Sequence, residues 1–333
     1  MKKQLLTNNK KFYKANLHCH TTLSDGKLTP KQIKESYKAH GYSAVAFTDH
    51  DIMLAHHELT DDEFIALTGF ETEINQTGSK PTEEFPHRLQ KCCHICFIAL
   101  DENNDVQPLF NIDDYFVGNS GEYRHLVKYD KNEPPYVREY DKIPEYMQKG
   151  RENGFFVTYN HPTWSMQDYS DYITYSGMHA MEISNYGCIV GGYLDYNPHV
   201  YDDMLRNGKK IFAISADDTH KPTDMFGGYV MINTNELNYK SLTDALVAGD
   251  FYSVDGDGGP EIYNLWLDGN MVHVECSKAV SVIVTVDIRR GYVKRGDNIT
   301  SAEFELHPDV NYFRVEITDS NGRHANTNAY WIK

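Results

Sequence analysis

Residues 16–51 read NLHCHTTLSDGKLTPKQIKESYKAHGYSAVAFTDHD. Two short apolar runs flank a polar stretch with helical period, which predicts strand, helix, strand. His18, His20, Asp25, Asp49 and His50 fall at or just beyond the ends of those strands. Side chains alternate along an extended chain, so His18 and His20 point one way and Cys19 the other. One face therefore offers two imidazoles to one ion. Imidazole nitrogen combined with carboxylate oxygen suits Zn, Fe or Mn better than Ca or Mg. Thr29 before Pro30 predicts the helix start, Ile33, Tyr37 and His40 its inward stripe, and Gly41 its end. The second strand, Ser43 to Phe47, runs out into Thr48, Asp49 and His50, and strand ends are where α/β enzymes keep their sites.

The pattern repeats downstream. An apolar run from Phe64 to Phe70 delivers Glu71, with Glu73 on the same face and equally able to ligate. A strand from Cys92 to Leu100 carries His94 beside Cys92 and Cys96. Phe155 to Thr158 delivers Tyr159, Asn160, His161 and Pro162, where proline stops the strand. HAMEISN sets Glu182 and Asn185 at the next strand end, and Ile211 to Ser215 delivers Asp217, Asp218 and His220. Helices are predicted over 143–152 and 200–207. Seven strands with polar residues at their C-terminal ends, alternating with helices, predict a β/α barrel with its site at one mouth.

The segments LHCHTTLSDG and FTDHD, followed in order by GFETEI at 69–74, His94 in CCHICFIAL, YNHP at 159–162 and SADDTH at 215–220, resemble the motifs of the PHP family, named for polymerase and histidinol phosphatase. The resemblance spans residues 12 to 255. It implies a distorted seven-stranded β/α barrel and a metal-dependent phosphoesterase that acts on a small phosphomonoester or nucleotide. It also implies two to three divalent transition-metal ions, Zn, Mn or Fe, held by His18, His20, Asp25, His50, Glu71, His94, His161, Asp218 and His220. In trinuclear members of the family the matching positions place His18, His20, Glu71 and Asp218 on one ion, Glu71, His94 and His161 on a second, and Asp25, His50 and His220 on a third. Asp25, His50, Glu71 and His220 carry over as catalytic, around a metal-activated hydroxide that attacks phosphorus. The resemblance favours Glu71 over Glu73 as the ligand. Asp49 becomes an orienter of a histidine or a weak ligand, and Glu182 and Asn185 become supports of the ligands.

Composition narrows the partners. The 333-residue chain has a formal net charge of -16, which disfavours an extended nucleic acid and is easier to reconcile with a small phosphorylated substrate at a cation-bearing site. Three of the six cysteines crowd around His94, which points to a reducing compartment rather than a disulfide framework. Cys93 and Cys96 form a lone C-x-x-C, read as buried thiols. The opening MKKQLLTNNKKF lacks an apolar core of signal-peptide length and no run is long enough to span a bilayer, so the expected location is the cytoplasm, off the membrane. A hydrolase of a non-phosphate bond, or a binding module with structural metals, are the competing readings.

Two domains are expected: a barrel over 1–255, interrupted by an insertion at 101–154 read as a lid or specificity wall, and a β-rich unit over 256–333. Within the insertion, Arg124 and His125, then Arg138 and Lys142, are the first cations to consider as phosphate contacts. After the linker VDGDGGPE the helical period gives way to alternation at Val280, Val282, Val284, Val286 and Ile288. Turn signals at Asp268-Gly269 and Asn321-Gly322, with strands at 312–318 and 329–332, predict an antiparallel, β-sandwich-like domain.

Overall fold

The computed structural model describes residues 2–77, 82–83, 86 and 89–333. In chain order the elements are β1 (Lys2–Leu6), β2 (Lys11–Asn16), α1 (Pro30–Ala39), β3 (Ala44–Phe47), β4 (Ile65–Asn75), β5 (Cys92–Ala99), α2 (Ser120–Tyr123), α3 (Ile143–Glu152), β6 (Phe155–Tyr159), α4 (Tyr169–Tyr172), β7 (Ala180–Asn185) and α5 (Tyr186–Val190). They continue with α6 (Pro198–Arg206), β8 (Phe212–Ala216), β9 (Gly228–Thr234), α7 (Tyr239–Ala248), β10 (Phe251–Asp255), β11 (Ile262–Asp268), β12 (Met271–Val286), β13 (Tyr292–Glu305), β14 (Tyr312–Thr318), β15 (His324–Thr327) and β16 (Tyr330–Trp331). The loop expected over Thr77 to Lys91 lies partly outside the described residues.

Local chemistry explains the first unit. The Thr29 hydroxyl accepts from Gln32 N while the Gln32 carboxamide accepts from Thr29 N, a reciprocal cap in front of Pro30. Ile33 and Tyr37 are buried as expected, but His40 is exposed and stacks on Phe226 at 4.0 Å. It lies past the last helical turn, so it cannot share the inward stripe.

The seven strands β2 to β8 are neighbours in sequence order, but the fold is a mixed α/β sheet rather than a closed parallel barrel. β2, β3 and β4 are parallel, as are β6, β7 and β8, whereas β5 runs antiparallel to both its neighbours. The reason is the length of β4, which does not stop at Glu71 but continues to Asn75, so that the chain re-enters β5 from the site end. His94 consequently stands at the start of its strand rather than the end. Among the described residues, the backbone beyond β8 pairs with that beyond β2 through an isolated bridge, Cys19 with Thr219, where His20 N–H donates to Thr219 O at 2.9 Å.

The C-terminal strands are continuous with the sheet of the first part of the chain. β10 pairs with β15, and the described strands form one 16-stranded sheet, ordered β1-β11-β12-β14-β15-β10-β9-β2 on this side. Turns do fall at Gly269 and Gly322, whose φ values of 61° and 77° suit glycine. One buried cluster takes in Ile33, Tyr37 and Phe47 together with Val274, Val284 and Val315. The last residues are also laced into the first part of the chain. Asn328 accepts from Ala213 N and donates to Gly249 O and Phe251 O.

The 101–154 segment is pinned rather than free. Phe110, Phe116 and Val127 pack on Ile52, Val117 N donates to Asp51 Oδ2 at 2.9 Å, and Asn119 N donates to Ser24 O at 2.7 Å. All six cysteines are unpaired and buried. Among the described residues no helix is long and apolar enough to cross a membrane.

The buried guanidinium of Arg314 on β14 makes a two-pronged pair with Asp202 on α6, at 2.7 and 2.9 Å. Arg314→Ala is expected to leave Asp202 uncompensated and to lower the unfolding free energy by about 3–5 kcal/mol. Urea denaturation reads this directly; an unchanged midpoint would show that the pair adds no net stability between β14 and α6.

Candidate metal centre

The site begins where β2 runs out. Asn16 accepts from His18 N and donates to His18 O, continuing the extended chain. Alternation holds there: His18 and His20 turn toward the centre and Cys19 joins the apolar cluster behind them. Asp25 is presented by a tight turn at Gly26, where an added Cβ would lie 2.6 Å from His20 O. Among the described residues Asp49 neither bonds a histidine nor joins a group of ligand atoms; it accepts from Thr21 N, Thr21 Oγ1 and Ser24 Oγ at 2.7–2.8 Å and so holds the loop that carries Asp25. Asp217 also faces away, accepting from Tyr37 Oη and from the backbone N–H groups of Phe226 and Gly228.

The nine expected ligands meet around Glu71. Its Oε1 lies 3.2 Å from His18 Nε2, 3.3 Å from His94 Nδ1 and 3.5 Å from His161 Nε2. Its Oε2 lies 3.4 Å from His20 Nε2 and 3.3 Å from His50 Nδ1. Asp218 Oδ1 stands 3.2 Å from His18 Nε2 and 3.1 Å from His20 Nε2, which are 3.0 Å from each other. Bonds of about 2.0–2.1 Å to a tetrahedral ion require ligand atoms roughly 3.3 Å apart, close to these separations. Four groups of ligand atoms can be drawn: His18, His20 and Asp218; His18, Glu71 and His161; His50, Glu71 and His94; and His20, Asp25, His50 and His220. The last contains the implied third set, with His20 added. Glu71, however, reaches His94 and His161 in separate groups.

The polar atoms themselves fit a cation. His20 Nδ1, His50 Nδ1, Glu71 Oε2 and Asp218 Oδ1 are buried and make no well-formed hydrogen bond, although imidazole nitrogens stand 3.1–3.4 Å from the two carboxylate oxygens. Such orphans are costly unless something outside the chain satisfies them. Burial alone would raise the Glu71 and Asp218 carboxyls, but the imidazoles of His18 and His94 around Glu71, and of His18 and His220 around Asp218, hold both well below the usual carboxylate range. His20 moves oppositely: its desolvation is outweighed by Asp218 and Glu71, which push it up to about 10. Desolvation and the neighbouring His20 push His50 down to about 3. The acids thus hold protons on some imidazoles, and a metal ion would compete with those protons for the same nitrogens.

A second layer sets which nitrogen faces inward. Glu182 Oε1 accepts from His18 Nδ1 at 2.7 Å, and its Oε2 accepts from His161 N and Asn185 Nδ2. Ser165 Oγ pairs with His161 Nδ1, and Glu73 Oε2 lies 3.2 Å from His94 Nε2. Asn160 of YNHP donates to Glu71 Oε1 at 2.7 Å, a role its place between strand and ligand did not suggest. His161 and Asp218 sit at φ 25° and 50°, strained conformations for non-glycine residues that tertiary packing sustains.

A cavity of about 460 Å³ opens over Asp25, His50, Glu71, His94, His161, Asp218 and His220. Arg124 and His125 do not line it. Both are exposed, Arg124 over the Phe116 ring and His125 with Nδ1 donating to Glu122 O. Arg138 is buried against Asp51 at 2.8 Å, and Lys142 pairs with Glu139. The cavity is instead lined by Lys221, Trp164 and Tyr193, which sequence reasoning passed over. Lys221 follows His220 directly and was the one legible clue. Glu182→Gln should leave the fold intact and weaken metal affinity by about 10–100-fold, because it loosens the tautomer and orientation of His18. Competition with a chromogenic chelator measures this; unchanged affinity would remove Glu182 from the centre's support.

No curated protein matches this chain. Its fold is similar to that of a two-domain protein from Bacteroides vulgatus containing a predicted PHP-like metal-dependent phosphoesterase, at 12% identity and TM-score 0.47, covering 98% of this chain and 96% of that one. It is also similar to an amidohydrolase from Chromobacterium violaceum with bound sulfate, at 16% identity and TM-score 0.36, covering 62% and 88%. The model of the PHP domain family matches residues 16–218, the stretch that supplies eight of the nine expected ligand positions, and the chain belongs to that family.

Proposed function

We propose that this protein is a metal-dependent phosphoesterase that hydrolyses a small phosphomonoester at a multinuclear centre of two to three divalent transition-metal ions. The observation that supports this reading is the ring of five imidazoles around the buried Glu71 carboxylate, with buried oxygen and ring-nitrogen atoms that make no well-formed hydrogen bond within the chain. His18, His20, Glu71 and Asp218 would hold an ion at the floor, and His94 and His161 flank Glu71 on one side. Asp25, His50 and His220 form the other end. Divalent ions bound there supply charge to the phosphoryl oxygens and a nucleophile drawn from water at neutral pH.

Exposure orders the residues by role. His18, His20 and Glu71 are sealed, whereas the side chains of Asp25 and His220 remain 32% and 34% exposed and so stand closest to an incoming ester. The neighbouring Lys221 can place positive charge beside the phosphoryl group. The strands after Asp255 add no residue to the described ligand groups and brace the site from behind.

Metal-loaded protein is expected to release phosphate from phosphomonoesters and to lose that activity on chelation. A panel of phosphomonoesters, phosphodiesters, carboxylic esters and amides decides between this reading and other hydrolases; turnover confined to the last two classes would sink it. Glu71→Gln replaces one anionic oxygen by an N–H donor and should lower turnover on the order of a thousandfold, with loss of bound metal. His220→Asn should keep the ions held by His18, His20 and Asp218 and retain residual turnover. Elemental analysis beside kinetics checks both, and a Glu71→Gln protein with full metal content and near-normal rate would overturn the assignment.

A further inference from the structure

The walls of the cavity differ at its two ends. At the His94 and His161 end stands Trp164, its ring centroid 5.1 Å from His94 and 5.0 Å from His161 and nearly perpendicular to both. The backbone N–H of Trp164 donates to Asp195 Oδ2 at 2.9 Å, which ties the main chain at Trp164 to the segment that carries Tyr193. Tyr193 lines the same cavity, is 46% exposed, and follows Gly191 and Gly192, the latter at φ 96°. The helix beneath them contributes only Gly187 and Cys188. Gly187 is required there, since an added Cβ would lie 2.7 Å from Asp217 O.

At the His220 end the wall is charged. Lys221 is the single lysine or arginine among the described residues lining the cavity, with Nζ 3.9 Å from Asp224 Oδ1. Among the described residues, the rest of the lining carries five carboxylates, Asp25, Glu71, Glu73, Asp218 and Asp224, beside four imidazoles. Beyond the residues that would hold metal, Glu73 and Asp224 remain as carboxylates. Apart from Lys221, a second phosphate on the leaving group would meet negative charge and no lysine or arginine among the described residues of the lining. A flat, uncharged group meets two aromatic side chains, which bind rings through area and offset or edge-to-face contact.

Resting on the phosphomonoesterase reading of this site, we propose that the cavity is two-ended: Lys221 takes the charge of the phosphoryl group, and Trp164 and Tyr193 flank an uncharged planar leaving group. The preferred substrate class is then the monophosphate ester of a neutral, ring-bearing alcohol.

Non-hydrolysable phosphonates test this without turnover. Calorimetry on the metal-loaded protein should show phenylphosphonate binding roughly tenfold tighter than ethylphosphonate, as one aromatic contact plus its buried area allows. Trp164→Ala should bring that ratio close to one. Tyr193→Ala, on an exposed loop, should reduce it in the same direction even where loss of Trp164 disturbs His94 and His161. Lys221→Gln should weaken both phosphonates by a similar factor, roughly tenfold, and leave their ratio alone. The proposal is overturned if the ratio survives both aromatic substitutions, or if Lys221→Gln leaves both affinities unchanged. Phosphonates that bind as described while phenyl phosphate is not hydrolysed would support the two-ended site and defeat the hydrolytic reading alone. Absence of phosphonate binding to metal-loaded protein overturns the two-ended site.

Discussion

A carboxylate sealed from water and facing five imidazoles is the constraint on which the structure turns. An isolated buried Glu71 would be far too costly to keep ionised, since desolvating such a group costs several kcal/mol even after relaxation. Here His18, His20, His50, His94 and His161 approach it from four different strands or strand extensions, and Asn160 donates to it directly. The arrangement is stable only if every one of those backbones is held in place. Much of the remaining chain serves that end.

The backbone carries visible marks of this demand. β4 runs on past Glu71, so Glu73 can support His94 on the reversed β5. Two of the expected ligands, His161 and Asp218, occupy left-handed backbone, and Gly187 lets α5 approach the loop that bears Asp218. Strain of this kind is tolerated where packing over-determines the position. Glu182 illustrates the economy of the inner layer, since its two oxygens fix the His18 tautomer, the His161 backbone and the Asn185 side chain together.

The strands beyond Asp255 belong to the same problem. They extend the sheet through the β10–β15 ladder and reach α6 and the base of β8 through Arg314 and Asn328, directly behind the strand that presents Asp218 and His220. The 101–154 segment braces the opposite loops, with Val117 and Arg138 both bonded to Asp51. Both regions look like additions in the linear sequence. In the folded chain they share contacts with the loops and strands that bear the expected ligands.

Local chemistry made much of this legible in advance. Alternation put His18 and His20 on one face, Thr29 and Pro30 marked the helix start, and apolar runs ending in histidine or carboxylate marked the strands, because these signals depend only on neighbours within a few residues. Strand direction did not follow, since the reversal of β5 depends on where β4 ends rather than on the composition of either strand. Nor did the open seam between β8 and β2, or the merging of the C-terminal strands into one sheet, which depend on pairings between residues far apart in the chain. Likewise the choice of cation could not be read from charge alone: Arg124, His125, Arg138 and Lys142 carry the same charge types as Lys221, but only the tertiary fold buries one, exposes the others, and leaves Lys221 at the mouth of the site. Residue types set what chemistry was available, and long-range packing decided which of those groups share a cavity, because proximity across a fold is a property of the whole chain.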